Sequence, residues 1–179
     1  SMLLFDAHLD LGYNALRYNR DLRRPVSEIR AEEEGMTDLP GRGAGVVALP
    51  EMVRGEVGFA VATLLAPCSR PENPVNGWRS PQQAWAATIG QLEWYLEMER
   101  EGVLSIIRNR ADFERRLDLW TTPPESGRIP SILLGMEGAD PLVDLDRLPI
   151  LFEMGLRAIG PAHYGPGRFA FGTDSDGPF

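Results

Sequence analysis

Ser131-Ile132-Leu133-Leu134-Gly135-Met136-Glu137-Gly138 is an unbroken apolar run that ends on a carboxylate held between glycines. A strand that is apolar at successive positions, not at alternate ones, has both faces covered, as in the parallel sheets of α/β proteins. Similar short runs lie on either side of it, at residues 3–5, 58–65, 103–107 and 156–159. Longer amphipathic stretches separate them, and that alternation marks an α/β chain with parallel strands. Residues 46–49 form a further apolar run too short to assign.

The clearest helix lies between the second and third runs. Ser80 and Gln83 have capping-box spacing, and Pro81 falls at the first helical position. Trp85, Ile89, Leu92 and Leu96 then recur at helical spacing, and Gly102 after Glu101 supplies the stop. Weaker helices are expected over residues 110–119 and near 144–154, the latter stopped by Gly155. Residues 121–128 read as a loop, and residues 24–45 as a helix followed by an excursion across the surface.

Composition narrows the partners. Acidic residues outnumber basic ones 26 to 18, for a net charge of −8. With no basic stripe to neutralise phosphates, nucleic acid is not an expected partner, and no Lys/Arg cluster is present to hold an anionic membrane. No apolar run approaches the ~20 residues of a membrane span. Residues 3–5 pass straight into polar sequence, unlike a signal peptide. Cys68 is the only cysteine, so no intrachain disulfide can form. The expected setting is the cytoplasm, where thiols stay reduced.

About five strands are present, whereas a closed parallel barrel needs eight and typically ~250 residues. The end, Gly172-Thr173-Asp174-Ser175-Asp176-Gly177-Pro178, is polar and glycine-rich with no closing helix or strand. An open sheet could stop at such an end, whereas a closed barrel could not, and the sequence reads as cut.

Three strand ends carry candidate chemistry. Asp6-Ala7-His8-Leu9-Asp10 follows the opening run, and alternation along a strand would point Asp6, His8 and Asp10 to one side. An imidazole and a carboxylate two residues apart can converge on one ion, and zinc accepts both. The alternative is a polar strand-to-loop junction with an N-capping aspartate. Glu137 ends its strand as a carboxylate that needs a cation or strong donors if buried; otherwise it caps the next helix or meets solvent. Ile159-Gly160-Pro161-Ala162-His163-Tyr164-Gly165 delivers His163, one of only two histidines in the chain, to another strand end.

Other features read as structural. Gly41-Arg42-Gly43-Ala44-Gly45 lacks the spacing of a dinucleotide fingerprint. Trp78, Trp85, Trp94 and Trp120 read as packing residues, Glu32-Glu33-Glu34 as a solvated face, and Cys68 as a small apolar residue. Asp174 and Asp176 read as a surface turn before a cation site.

Taken together, these segments resemble the membrane (renal-type) dipeptidases of peptidase family M19. Asp6-Ala7-His8-Leu9-Asp10 resembles the opening metal motif, and residues 49–58 the segment leading into the second strand. Met136-Glu137-Gly138 resembles the bridging-glutamate motif, and Gly160-Pro161-Ala162-His163 the next strand end. The resemblance implies a single (β/α)8, TIM-barrel-type domain, of which residues 1–179 are the N-terminal portion with roughly the first five strands. It implies a metallo-dipeptidase with two zinc ions: His8 and Asp10 hold one, and Glu137 bridges it to the second. His163 would contact substrate and the tetrahedral intermediate instead of metal. It further implies hydrolysis of dipeptides or small amides by a metal-activated water, and a homodimer as an assembly often found in the family. Two departures stand out. Tyr164-Gly165-Pro166-Gly167 replaces an asparagine-containing stretch, which bears on substrate preference, and the histidines that complete the second zinc site lie beyond this sequence. Another amidohydrolase-type barrel hydrolase, or a non-catalytic fragment or pseudoenzyme of the same fold, are the alternative readings; the former would favour HxH over the HxD seen here.

Overall fold

The computed structural model describes residues 2–71, 77–173 and 175–176. Five strands run parallel in one sheet: β1 (Leu4–Leu9), β2 (Val57–Leu64), β3 (Ser105–Ile106), β4 (Ser131–Glu137) and β5 (Leu156–Gly160). The helices are α1 (Leu11–Arg17), α2 (Val26–Glu32), α3 (Leu49–Arg54), α4 (Pro81–Arg100), α5 (Arg110–Thr121) and α6 (Leu148–Glu153). Each of the five longer apolar runs thus contributes a strand, with helices in the intervals.

β4 is the centre of the sheet. On one edge it pairs with β2, from Phe59↔Ser131 to Leu64↔Met136. β3 meets its first two residues, Ser131 and Ile132, and β5 pairs with it from Leu134 to Glu137. The run at 103–107 therefore yields only a two-residue strand. β5 takes over the same edge of β4 from Leu134, while on the outer side of β3 Glu99 of α4 accepts the Ile106 N–H at 2.8 Å and pairs with Arg108 at 2.6 Å. Residues 46–49 divide: Val46 is exposed, while Leu49 opens α3 and is buried.

The even-numbered side chains of the two central strands make the sealed face. Ala60, Ala62 and Leu64 of β2 and Ile132, Leu134 and Met136 of β4 are all buried, packed in one cluster with Leu92, Tyr95 and Met98 of α4. Each fully buried Leu or Ile contributes roughly 1.5–3 kcal/mol of transfer free energy. The odd-numbered positions, including Thr63 and Glu137, belong to the other face.

α4 starts as its sequence implies: the Ser80 hydroxyl accepts the Gln83 N–H at 3.2 Å, with Pro81 in the first turn. Its buried stripe is rotated from the expected one. Leu92 is fully buried, but Trp85, Ile89 and Leu96 are only half-buried, and the inward face is Ala84, Thr88, Gln91, Leu92, Tyr95 and Met98. Gln91 and Tyr95 are tolerated there because both hydrogen-bond to the end of β2, where their polar atoms replace water with backbone partners.

The Glu32-Glu33-Glu34 run is not uniformly solvated. Glu33 is buried and accepts a two-pronged pair from Arg20 at 2.7 and 2.9 Å, a further bond from Arg42 at 2.9 Å and the Gly43 N–H at 2.7 Å. The glycine-rich segment after it folds back to supply that N–H, so the excursion of residues 24–45 is anchored by a buried ion cluster. Trp120 is buried in a second small cluster with Phe59 and Ile107, and Trp85 and Trp94 pack on the main core. Trp78 departs from the packing reading: it is exposed on the wall of a cleft formed with Tyr13, Leu16 and Arg17 of α1. Asp174 lies outside the described residues. Among those described, no helix is long and apolar enough to cross a membrane.

Candidate metal centre

Three strand ends meet on one side of the sheet. β1 carries His8, with Asp10 one residue beyond its end at the start of α1; β4 ends on Glu137; and His163 lies three residues past β5. β1 is bonded to β2, β2 to β4 and β4 to β5, so parallel strands aligned by their ladders deliver these ends together. His8 Nε2 lies 3.4 Å from Asp10 Oδ1 and 3.2 Å from Glu137 Oε2. Among the described residues, His8, Asp10 and Glu137 offer one ligand atom each, all within 4.8 Å of one another.

The local backbone sets the geometry of the HxD segment. The ladder between β1 and β2 is irregular between Asp6 and Leu9, so simple alternation fails across the motif. Asp6 does not join the cluster; its Oδ1 accepts the His8 N–H at 2.9 Å and steadies the strand where it breaks register. Asp10 is the N-cap residue of α1 by position, yet its side chain makes no capping bond. Its carboxylate instead accepts a hydrogen bond from the Thr63 hydroxyl of β2. The capping alternative for Asp10 is therefore not what the structure contains.

Glu137 neither caps a helix nor lies open to solvent. Its side chain is 15% exposed and sits between the two histidines, with Oε2 toward His8 and Oε1 3.2 Å from His163 Nδ1. Burial pushes its carboxyl above the ordinary value of 4.5; the nearby Asp10 adds to this, while His163 and His8 pull the other way. Oε2 is buried and, among the described residues, accepts no hydrogen bond despite the imidazole beside it. An orphaned, buried carboxylate oxygen facing an imidazole and a second carboxylate is a donor set that a cation would satisfy. The three side chains fit a divalent metal such as zinc, which takes nitrogen and oxygen ligands.

Gly138 is what lets β4 turn at this point. Its φ of +81° is a conformation that side-chain-bearing residues rarely adopt, and an added Cβ would lie 3.7 Å from the His163 Cβ. His163 packs edge-on against Tyr164, with ring centres 4.6 Å apart. It stands outside the three-ligand group, on the opposite oxygen of Glu137.

Around this cluster are residues that the sequence reading did not single out. Asn14 holds the Asp10 carbonyl through its Nδ2 at 2.9 Å and is itself held by Arg20 at 2.7 Å. Asp140 is buried beyond Glu137; it accepts the Cys68 N–H at 3.0 Å and the Arg168 N–H at 3.1 Å, joining the loops that follow β2 and β5. Burial and Asp140 both push the Cys68 thiol up, which disfavours a reactive thiolate. Thr63 had a visible signal, as the one hydroxyl inside the apolar run at 58–65. Asn14 and Asp140 had none.

No family profile and no curated protein sequence matches the chain. Solved structures do. The chain is similar to a crystal structure of a dipeptidase described as a metallopeptidase of family M19, with a TM-score of 0.62 and 23% identity over 92% of this chain and 47% of that one. A metallopeptidase from Rhodobacter sphaeroides, solved with a phosphinate mimic of the dipeptide L-Ala-D-Ala, aligns at a TM-score of 0.62 and 22% identity over 92% and 48%. A probable dipeptidase, PvdM, from Pseudomonas aeruginosa aligns at 0.61 and 20%, over 95% of this chain and 37% of that one. The parallel α/β architecture is therefore the one found in M19 dipeptidases, and this chain spans about half the length of the first two.

Proposed function

We propose that this chain forms the first half of the active site of a metal-dependent hydrolase of the dipeptidase kind. The observation that carries this reading is the convergence of His8, Asp10 and Glu137 around an unsatisfied, buried carboxylate oxygen. Zinc is the proposed ion, with His8 and Asp10 as its ligands and Glu137 bridging to a second zinc whose remaining ligands come from outside this chain. When bound, such ions supply Lewis acidity toward the scissile carbonyl and activate water for attack.

The chain's own residues have separate parts in this reading. Glu137 uses both oxygens, one toward His8 and one toward His163, so the bridging carboxylate is aligned by two imidazoles. His163, with Nδ1 toward Glu137, would donate from Nε2 to the oxygen of a substrate carbonyl as negative charge develops on it. Dipeptides or small amides are the proposed substrates, supported by the likeness to a metallopeptidase solved with a dipeptide mimic. The HxD arrangement favours this over an amidohydrolase with paired histidines on its first strand.

Residues 1–179 are proposed to be the N-terminal portion of one barrel domain. Support comes from the half-length alignment and from the apolar odd face of the sheet, where Phe5 is 58% exposed although stacked on Phe59. The test is zinc content and dipeptide hydrolysis, measured on this chain and on a form extended to the length of the aligned dipeptidases. The expected result is metal bound by His8, Asp10 and Glu137 in both, with hydrolysis in the extended form only. A well-folded extended protein that binds no zinc would overturn the reading and leave the non-catalytic alternative.

A further inference from the structure

We propose that Thr63 is a positioning residue for Asp10: its buried hydroxyl donates to the Asp10 carboxylate and fixes the face that carboxylate turns toward His8. The proposal rests on the reading of His8, Asp10 and Glu137 as a metal centre. A carboxyl group on a single methylene turns readily about its last torsion, whose energy profile is broad. A ligand left to turn in this way binds metal less tightly than one already aligned, because the ordering cost is met at binding. Asp10 Oδ1 receives the Thr63 hydroxyl and also lies 3.4 Å from His8 Nε2. One lone pair of that carboxylate is taken by Thr63, and the others are left for the ion.

Thr63 can perform this role because its own position is over-determined. It is buried near the end of β2. The Tyr95 hydroxyl, completely buried on α4, donates to the Thr63 carbonyl at 3.0 Å and accepts the Gly12 N–H at 2.8 Å. One hydroxyl thus ties the end of β2 to the first turn of α1, the two segments that carry Thr63 and follow Asp10. Burial pushes the Tyr95 hydroxyl well above its ordinary titration range, so it stays a neutral donor. One helical turn earlier, Gln91 clamps Leu65, donating to its carbonyl at 2.7 Å and accepting its N–H at 2.8 Å. Gly12 is required in this arrangement, since a Cβ there would come within 2.9 Å of the Tyr95 ring. α4 therefore sets the height of β2 against α1, and Thr63 carries that setting to the metal ligand.

The experiment is zinc affinity, by competition with a chromophoric chelator, for the wild-type protein, Thr63→Val and Thr63→Ser, with the Co2+ absorption spectrum as a second readout. Val keeps the shape and β-branching of threonine but removes the hydroxyl, while Ser keeps the hydroxyl. The expected result is roughly 10–100-fold weaker zinc binding for Thr63→Val, with altered Co2+ bands, and near-wild-type behaviour for Thr63→Ser. Melting without metal should be unchanged or raised in Thr63→Val, which separates positioning from folding. Should Val disrupt the sheet, Thr63→Ala removes the same hydroxyl and is expected to show the same loss. Equal zinc affinity in wild type and in the hydroxyl-free variants overturns the proposal alone. A wild-type protein that binds no zinc overturns the metal reading, and the proposal with it.

Discussion

Glu33 is buried and Glu137 largely so, and the two glutamates are held in opposite ways. Glu33 meets two guanidiniums and a backbone N–H, and the Arg20 hydrogen bond, ahead of those from Gly43 and Arg42, holds its carboxyl down at about 2. Glu137 meets two imidazoles and the carboxylate of Asp10; burial holds its carboxyl up, and one of its oxygens has no donor. The first cluster is electrostatically complete. The second is an acid-rich pocket that a cation would complete. A buried charge that is fully satisfied serves the fold, and one left unsatisfied points to a ligand.

The sharpest way to break this comparison is to neutralise each glutamate in turn. Glu137→Gln should reduce zinc affinity by more than the roughly 100-fold that outer-shell changes reach, while raising the melting temperature in chelator because the like charge beside Asp10 is gone. Glu33→Ala should do the reverse. It strands two guanidiniums, Arg20 being buried with it, and should cost about 3–5 kcal/mol in urea unfolding, with zinc affinity little changed. If Glu33→Ala loses zinc as severely as Glu137→Gln does, the two clusters are not separate in function.

Acid titration sharpens the same contrast. A carboxyl depressed in the fold stabilises it fully above its ordinary value of 4.5, and that contribution drains away as pH falls toward about 2. Wild-type stability should therefore fall more steeply through this window than that of Glu33→Gln, which should already be weaker at neutral pH. Equal acid slopes in thermal melts would remove Glu33 as the source. Smaller again, Tyr95→Phe leaves the Gly12 N–H and the Thr63 carbonyl without their buried partner and should cost about 1–3 kcal/mol, read by denaturant midpoint. At the bottom of the scale, Arg110→Ala removes an exposed pair with Glu114 on α5 and should shift melting by no more than about 1–2 °C.

Much of the fold was legible along the chain because it rests on local pattern. Ser80, Pro81 and Gln83 announced the start of α4, and the all-apolar run before Glu137 announced a central strand. α1 and α3 were not read, since helices of seven and six residues have too few turns to show a periodicity. The rotation of the buried stripe of α4 toward Gln91 and Tyr95 was hidden for another reason: polar residues face inward only when a distant backbone group awaits them.

The site divides along the same line. The residue types and strand-end positions of His8, Asp10, Glu137 and His163 are properties of the sequence, because a strand's length and its apolar run determine where it must end. That Asp6 turns back to its own backbone, that Glu33 lies in a buried ion cluster, and that Asp10 bonds to Thr63 were decided only by tertiary structure. Each depends on a β-ladder that breaks register or on a partner ten or more residues away, and the partner of a polar side chain is not encoded in its neighbours.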